Sequence, residues 1–169
     1  MLAAMGLAAG TLFTTAGAAS AGASAVHHRA DCSLDGSAHL HVTGNNGVNY
    51  FLGTPNKTGN GKVVRLKPTA NSTTNWTFCF VSGSEAILLN RGLALASSQS
   101  TGGLVTVTTT SAPGGNGFAS QRWFTTFQGN FVFLQNENTN LWLRVRNNGP
   151  KLGQTVTTGA SPRAWDDSF

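Results

Sequence analysis

Three times along the chain a tryptophan is followed four residues later by a phenylalanine: Trp76 with Phe80, Trp123 with Phe127 and Trp165 with Phe169. The tryptophans stand 47 and 42 residues apart, and 31 to 34 residues ahead of each comes an aliphatic residue closing a short apolar run: Val42, Leu89 and Leu134. Self-similarity at such a period means one supersecondary unit used repeatedly, and a unit too small to bury its own apolar face has to pack against its copies.

The residues around the tryptophans alternate. Trp76-Thr77-Phe78-Cys79-Phe80 puts Trp76, Phe78 and Phe80 on one side of a strand and Thr77 and Cys79 on the other. The same period of two runs through Val64 to Lys67, Leu93 to Leu95 and Leu141 to Arg146. Turn clusters separate these stretches: Gly44 to Gly47, Gly59 to Gly61, Gly114 to Gly117 and Asn147 to Pro150. No helical periodicity appears after Ala25. The chain reads as all-β, with three units of about four short strands over Ser37 to Ser82, Gly83 to Gln128 and Gly129 to Phe169. Three units are too few for a propeller, but they can close a barrel of three-fold pseudosymmetry.

At that level the residues resemble a known family. Gln121-Arg122-Trp123 matches the Gln-x-Trp signature of ricin-B-type lectin domains, which are β-trefoils. Leu88 to Leu93, and Phe133 to Asn136 followed by Leu141-Trp142-Leu143, look like that family's opening hairpin. Thr74-Asn75-Trp76 and Arg163-Ala164-Trp165 keep the tryptophan without the glutamine. The resemblance spans 37–169 and implies a β-trefoil; it implies an activity less directly, because trefoils also act as protease inhibitors, cytokines and actin-bundling modules.

Lectins of that family hold sugar with an Asp on a unit's second strand, an aromatic on the third and Asn/Gln near the tryptophan. The slots are filled differently here: Arg144, Ala96 or Ser97, and Gly53 or Thr54 stand where the Asp is expected, and Lys67, Thr108 and Thr157 stand near the aromatic place. Gln121 survives, either as a sugar contact or as a brace of its hairpin. The third unit supplies another candidate. Alternation turns Leu141, Leu143 and Val145 inward and Trp142, Arg144 and Arg146 outward, with Asn138, Asn140 and Asn148 on nearby turns. A flat indole covers the apolar face of a pyranose and guanidiniums suit an anionic saccharide; the competing reading is an arginine stacked on Trp142 as surface packing. Tyr50, with Asn45, Asn46 and Asn49 around it, is a second candidate platform.

Catalysis finds little support. His27, His28, His39 and His41 all lie towards the N-terminus, and the latter two read as solvated side chains flanking Leu40. As a His-x-His pair they lack a third metal ligand. Asp166 and Asp167 are adjacent on a strand and so point to opposite faces, which is not the opposed pair of a glycosidase. No cofactor, metal site or catalytic residue is therefore expected.

Met1 to Ala25 carries no charged side chain and ends in Ala23-Ser24-Ala25, the small-x-small pattern of signal-peptidase sites. It reads as a signal peptide (1–25) followed by a leader (26–36), which makes the protein secreted and places Cys32 and Cys79 where a disulfide forms. Such a bridge contributes about 4 kcal/mol on a chain-entropy account. The net charge of +5 includes no basic run, which argues against nucleic acid as partner. The sequence thus predicts a secreted, monomeric, non-catalytic β-trefoil with no membrane span that binds a saccharide or polysaccharide; the alternatives are a protein-binding trefoil such as a protease inhibitor, using 56–62 or 111–118, or a trefoil that has lost sugar binding.

Overall fold

The computed structural model describes residues 36–57, 59–111, 118–147 and 149–168. The signal and leader segments up to residue 35, Cys32, Asn148 and Phe169 lie outside them, as does nearly all of the 111–118 loop.

The first unit contains β1 (Ser37–Thr43), β2 (Asn49–Gly53), a third strand interrupted into β3 (Lys62–Val63) and β4 (Arg65–Lys67), and β5 (Asn75–Ser82). The second has β6 (Glu85–Asn90), β7 (Leu93–Ala96), β8 (Thr106–Thr109), a helical turn α1 (Phe118–Gln121) absent from the sequence expectation, and β9 (Arg122–Gln128). The third has β10 (Phe131–Asn136), β11 (Trp142–Val145), β12 (Val156–Gly159) and β13 (Trp165–Ser168).

In each unit the first strand pairs antiparallel with the fourth, and the tryptophan faces a small or β-branched residue: Ala38↔Trp76, Ala86↔Trp123, Val132↔Trp165. Each fourth strand also pairs with the first strand of the next unit, and β13 returns to β1 through Leu40↔Asp167 and His41↔Asp166. These strands form a closed barrel, which removes the exposed edges an open sheet would leave. The second and third strands form three hairpins, which meet in a ring of backbone hydrogen bonds: Val64 N–H donates to Val105 (2.9 Å), Val105 to Val156 (3.0 Å) and Val156 back to Val64 (3.1 Å). That ring marks the pseudo-three-fold axis of a β-trefoil.

Trp76, Trp123 and Trp165 are fully buried. Each indole N–H donates to the carbonyl of a second-strand leucine, Leu52, Leu95 or Leu143, at 2.9, 3.0 and 3.1 Å. The same contact repeated three times aligns the units: Leu40, Leu88 and Leu134, all fully buried, are equivalent. The aliphatic positions expected from spacing therefore need correction. Leu89 faces outward opposite Ala94, and Val42 lies one inward position beyond Leu40. The phenylalanine of the repeat is not a uniform anchor either: Phe127 is 47% exposed, because four residues of strand carry it about 13 Å along the barrel and out of its core.

An asparagine fastens two of the three seams between units. Asn90 Nδ2 donates to the carbonyls of Asn75 (2.7 Å) and Ser72 (3.3 Å), and Asn136 Nδ2 to those of Arg122 (3.0 Å), Ser120 (2.8 Å) and Ala119 (3.4 Å). At the third seam the equivalent residue is Val42, which has no side-chain donor. Cys79 is fully buried beside Ile87, Ala94 and Phe118, and among the described residues no cysteine is free.

Candidate functional site

The strand carrying Trp142 is positioned by its neighbours. Leu143 and Val145 are buried at 0% and 2%, so Trp142 and Arg144 are held, half-buried, on the outer surface and Arg146 beyond them is exposed. Trp142 sits between Gln135 of β10 and Gly159 of β12, while Arg144 faces Thr157. The absent side chain of Gly159 is used: a Cβ there would lie 2.4 Å from Arg144 Cδ and 3.2 Å from its Nη1. The arginine stem thus lies diagonally across a bare stretch of β12, beside Trp142.

Arg144 has no acidic partner among the described residues, and the cation–π contact found there is Arg122 over Phe118 at 5.2 Å, not an arginine over Trp142. Asn138 and Asn140 are exposed on the β10–β11 turn; Asn140 adopts φ 54, and its carbonyl accepts from Gln135 Nε2 at 2.9 Å. Trp142 and Arg144 lie on β11, with Asn138 and Asn140 on the turn before it and Arg146 just past its other end.

Gln121 and Tyr50 do not join them. Gln121 is 2% exposed; its Nε2 donates to Thr108 Oγ1 (2.7 Å) and the Thr109 carbonyl (2.8 Å), and its Oε1 accepts from the Ser111 amide (2.9 Å). It braces its hairpin and has no amide left for a ligand. Tyr50 is in the core, 8% exposed, with its hydroxyl accepting from Asn46 Nδ2 at 3.0 Å. Its place as a platform is corrected by register: Phe51, next in sequence, is the outward residue and the equivalent of Trp142, one position before Leu52.

That equivalence also corrects the aromatic slot, where Gly159, not Thr157, corresponds to Lys67 and Thr108. It exposes a feature missed in sequence. A Cβ on Gly53 would lie 2.5 Å from Lys67 Cγ, so in the first unit a cation of the third strand crosses a glycine of the second, whereas in the third unit the exchange is reversed. Both place an aromatic beside a cation. Phe51, however, is already contacted by His41 (ring centroids 5.3 Å) and His39 (6.2 Å).

The histidines are not freely solvated, which reverses the expectation. His39 Nδ1 is bonded to Thr74 Oγ1 at 3.1 Å, and His41 is 7% exposed with Nε2 3.7 Å from Asp166 Oδ2. Both faces of β1 are covered, because β13 and β2 flank it on the outside. Among the described residues no three His, Cys, Asp or Glu side chains assemble as a metal set. Arg122 pairs with Glu85 (3.1 Å) and Glu137, tying β6, β9 and the end of β10.

Asp167 lies opposite Leu40, and partial burial raises its carboxyl above the ordinary value, aided by the nearby Asp166 charge. A carboxyl raised by folding holds its proton more tightly in the folded state. Stability associated with it is present below the unfolded value and lost as pH rises through the folded one. Asp167→Asn is therefore expected to melt slightly higher than the parent at pH 7, with the difference vanishing near pH 3, checked by calorimetry across that range.

No protein-family model matches the chain, and no curated protein matches it in sequence. Solved structures do match. The chain is similar to ThreeFoil, a designed three-fold symmetric protein, at TM-score 0.68 and 22% identity, covering 80% of this chain and 99% of that one. It is similar to the Polyporus squamosus lectin solved with a Neu5Acα2-6Galβ1-4GlcNAc epitope (TM-score 0.62, 13% identity, 79% of this chain and 48% of that one). It is also similar to an exo-β-1,3-galactanase from Clostridium thermocellum (TM-score 0.67, 18% identity, 80% and 31%). The chain thus spans nearly all of ThreeFoil but less than half of the other two. At these identities the likeness establishes the β-trefoil fold.

Proposed function

We propose that this β-trefoil is a secreted, non-catalytic saccharide-binding module that acts as a monomer, whose binding surface is the outer face of β11 with Trp142 as platform. The observation that carries the reading is Arg144: a half-buried guanidinium without an acidic partner among the described residues, laid across Gly159 beside a half-exposed indole. Such a pair covers the apolar face of a sugar ring and offers charge-assisted donors to a carboxylate. Arg146, Asn138 and Asn140 extend the polar rim. Acidic saccharides are favoured over neutral ones. A fold neighbour solved with a Neu5Ac-bearing epitope is consistent with this choice. Secretion rests on the uncharged N-terminal segment, and the Cys32–Cys79 bridge on the buried Cys79 and that compartment.

Tryptophan fluorescence tests the platform, because the other three indoles are fully buried and their N–H groups bonded. Titration with an acidic oligosaccharide is expected to change the emission saturably, and Trp142→Ala to weaken binding tenfold or more, about 1.4 kcal/mol. An unaltered spectrum across neutral and acidic glycans, or an affinity indifferent to Trp142→Ala, removes the reading. Protease inhibition by the same preparation would favour the protein-binding alternative.

A further inference from the structure

The seam closed by Val42 instead of asparagine holds a cleft of about 410 Å³ between the third and first units. His41, Val42, Thr43, Phe131, Arg163 and Asp166 line it. Ala164, which also lines it, stands one residue before its tryptophan, as Asn75 and Arg122 do, and the carbonyls of those two accept from the seam asparagines. Where Val42 replaces the amide, the space is open.

Two groups in this cleft are unspent. The His41 side chain is 9% exposed, and its Nδ1 is buried with no hydrogen-bond partner. Arg163 takes part in no hydrogen bond or ion pair among the described residues. A buried polar atom without a partner is costly, on the order of 1–3 kcal/mol, unless a water or ligand meets it. Asp166, 3.7 Å from Nε2, favours the proton on that nitrogen, which leaves Nδ1 a lone pair for a hydroxyl donor. Arg163 suits a carboxylate, and Phe131, 46% exposed, supplies an apolar wall.

We infer that this seam is a second binding site, for a small polyhydroxylated carboxylate of the uronic acid class. Its carboxylate pairs with Arg163, one hydroxyl donates to His41 Nδ1 while others are accepted by Asp166, and the C–H face of the ring lies on Phe131. The site is separate from the Trp142 platform and does not depend on it.

The test is an NMR titration of the mature protein with galacturonate, following the His41 ring resonances, with galactose and acetate as the neutral and carboxylate-only counterparts. Galacturonate is expected to shift those resonances saturably, with galactose and acetate at least tenfold weaker. Arg163→Gln, at a partly exposed position, is expected to weaken galacturonate tenfold or more. Val42→Asn, which restores the fastener of the other seams, is expected to abolish the response, and Trp142→Ala to leave it intact. No shift at His41, equal binding of galactose or acetate, or an unchanged affinity in Arg163→Gln overturns the site. A response lost in Trp142→Ala also overturns it, by assigning the signal to the outer platform; failure of the platform alone leaves the His41 response standing.

Discussion

Trp123→Ala is expected to destabilise the domain by about 3–5 kcal/mol, the range for emptying a buried aromatic site. The residue is fully exposed to nothing but protein, and its N–H is the partner of the Leu95 carbonyl at 3.0 Å, which would be left buried and unpaired. For a domain whose total stability is on the order of 5–15 kcal/mol, that is a drop in melting temperature of about 10–20 °C. Urea unfolding followed by circular dichroism measures it, and Phe127→Ala is the internal reference. Phe127 belongs to the same repeat motif but is 47% exposed, so its loss should cost less than about 1 kcal/mol. Trp123→Phe isolates the hydrogen bond, at about 1–2 kcal/mol, since most of the apolar volume is kept. Equal effects of Trp123→Ala and Phe127→Ala would mean that the repeated tryptophans do not anchor the barrel.

The tryptophans were legible because their size, spacing and two-residue alternation all point to a buried strand face. Phase was harder to read than period. Leu88-Leu89 and Tyr50-Phe51 are adjacent residues of like type, so alternation allows either member to face inward, and a one-residue slip exchanges the faces. What sets the phase is the tryptophan N–H reaching the Leu52, Leu95 and Leu143 carbonyls, a contact between strands that no local pattern encodes. The outward face of β11 was readable from its own alternation. The crossing of Arg144 over Gly159 and of Lys67 over Gly53 was not, because each joins residues whose strands meet only after the hairpin closes. His41 was misread for the same reason: its cover, Asp166 and Phe51, arrives from β13 and β2.

The seams differ in what fastens them, and Asn136→Asp should show how much a fastener contributes. The substitution is nearly isosteric but replaces a donor set by an acceptor at a fully buried site, where the carbonyls of Ala119, Ser120 and Arg122 converge on Nδ2. The carboxylate oxygen facing three carbonyls has neither donor nor solvent, and the other keeps only the Thr139 hydroxyl at 3.3 Å, so the expected cost is about 3–5 kcal/mol at pH 7. Protonation restores one O–H donor. Burial raises the folded-state value of this new carboxyl, so part of the lost stability should return as pH falls towards 4, the reverse of a carboxylate held by a salt bridge. Asn136→Val, which copies the residue at the third seam, avoids the charge and should cost less, about 1–3 kcal/mol, from the lost Nδ2 bonds alone, since the Ser120 and Arg122 carbonyls keep the Ser97 and Glu137 amides. Chemical denaturation of the three proteins between pH 4 and 7 separates these terms. If Asn136→Asp were as stable as the parent at pH 7, water would have to reach those carbonyls, and the open cleft at Val42 could no longer be explained by the absence of an asparagine there.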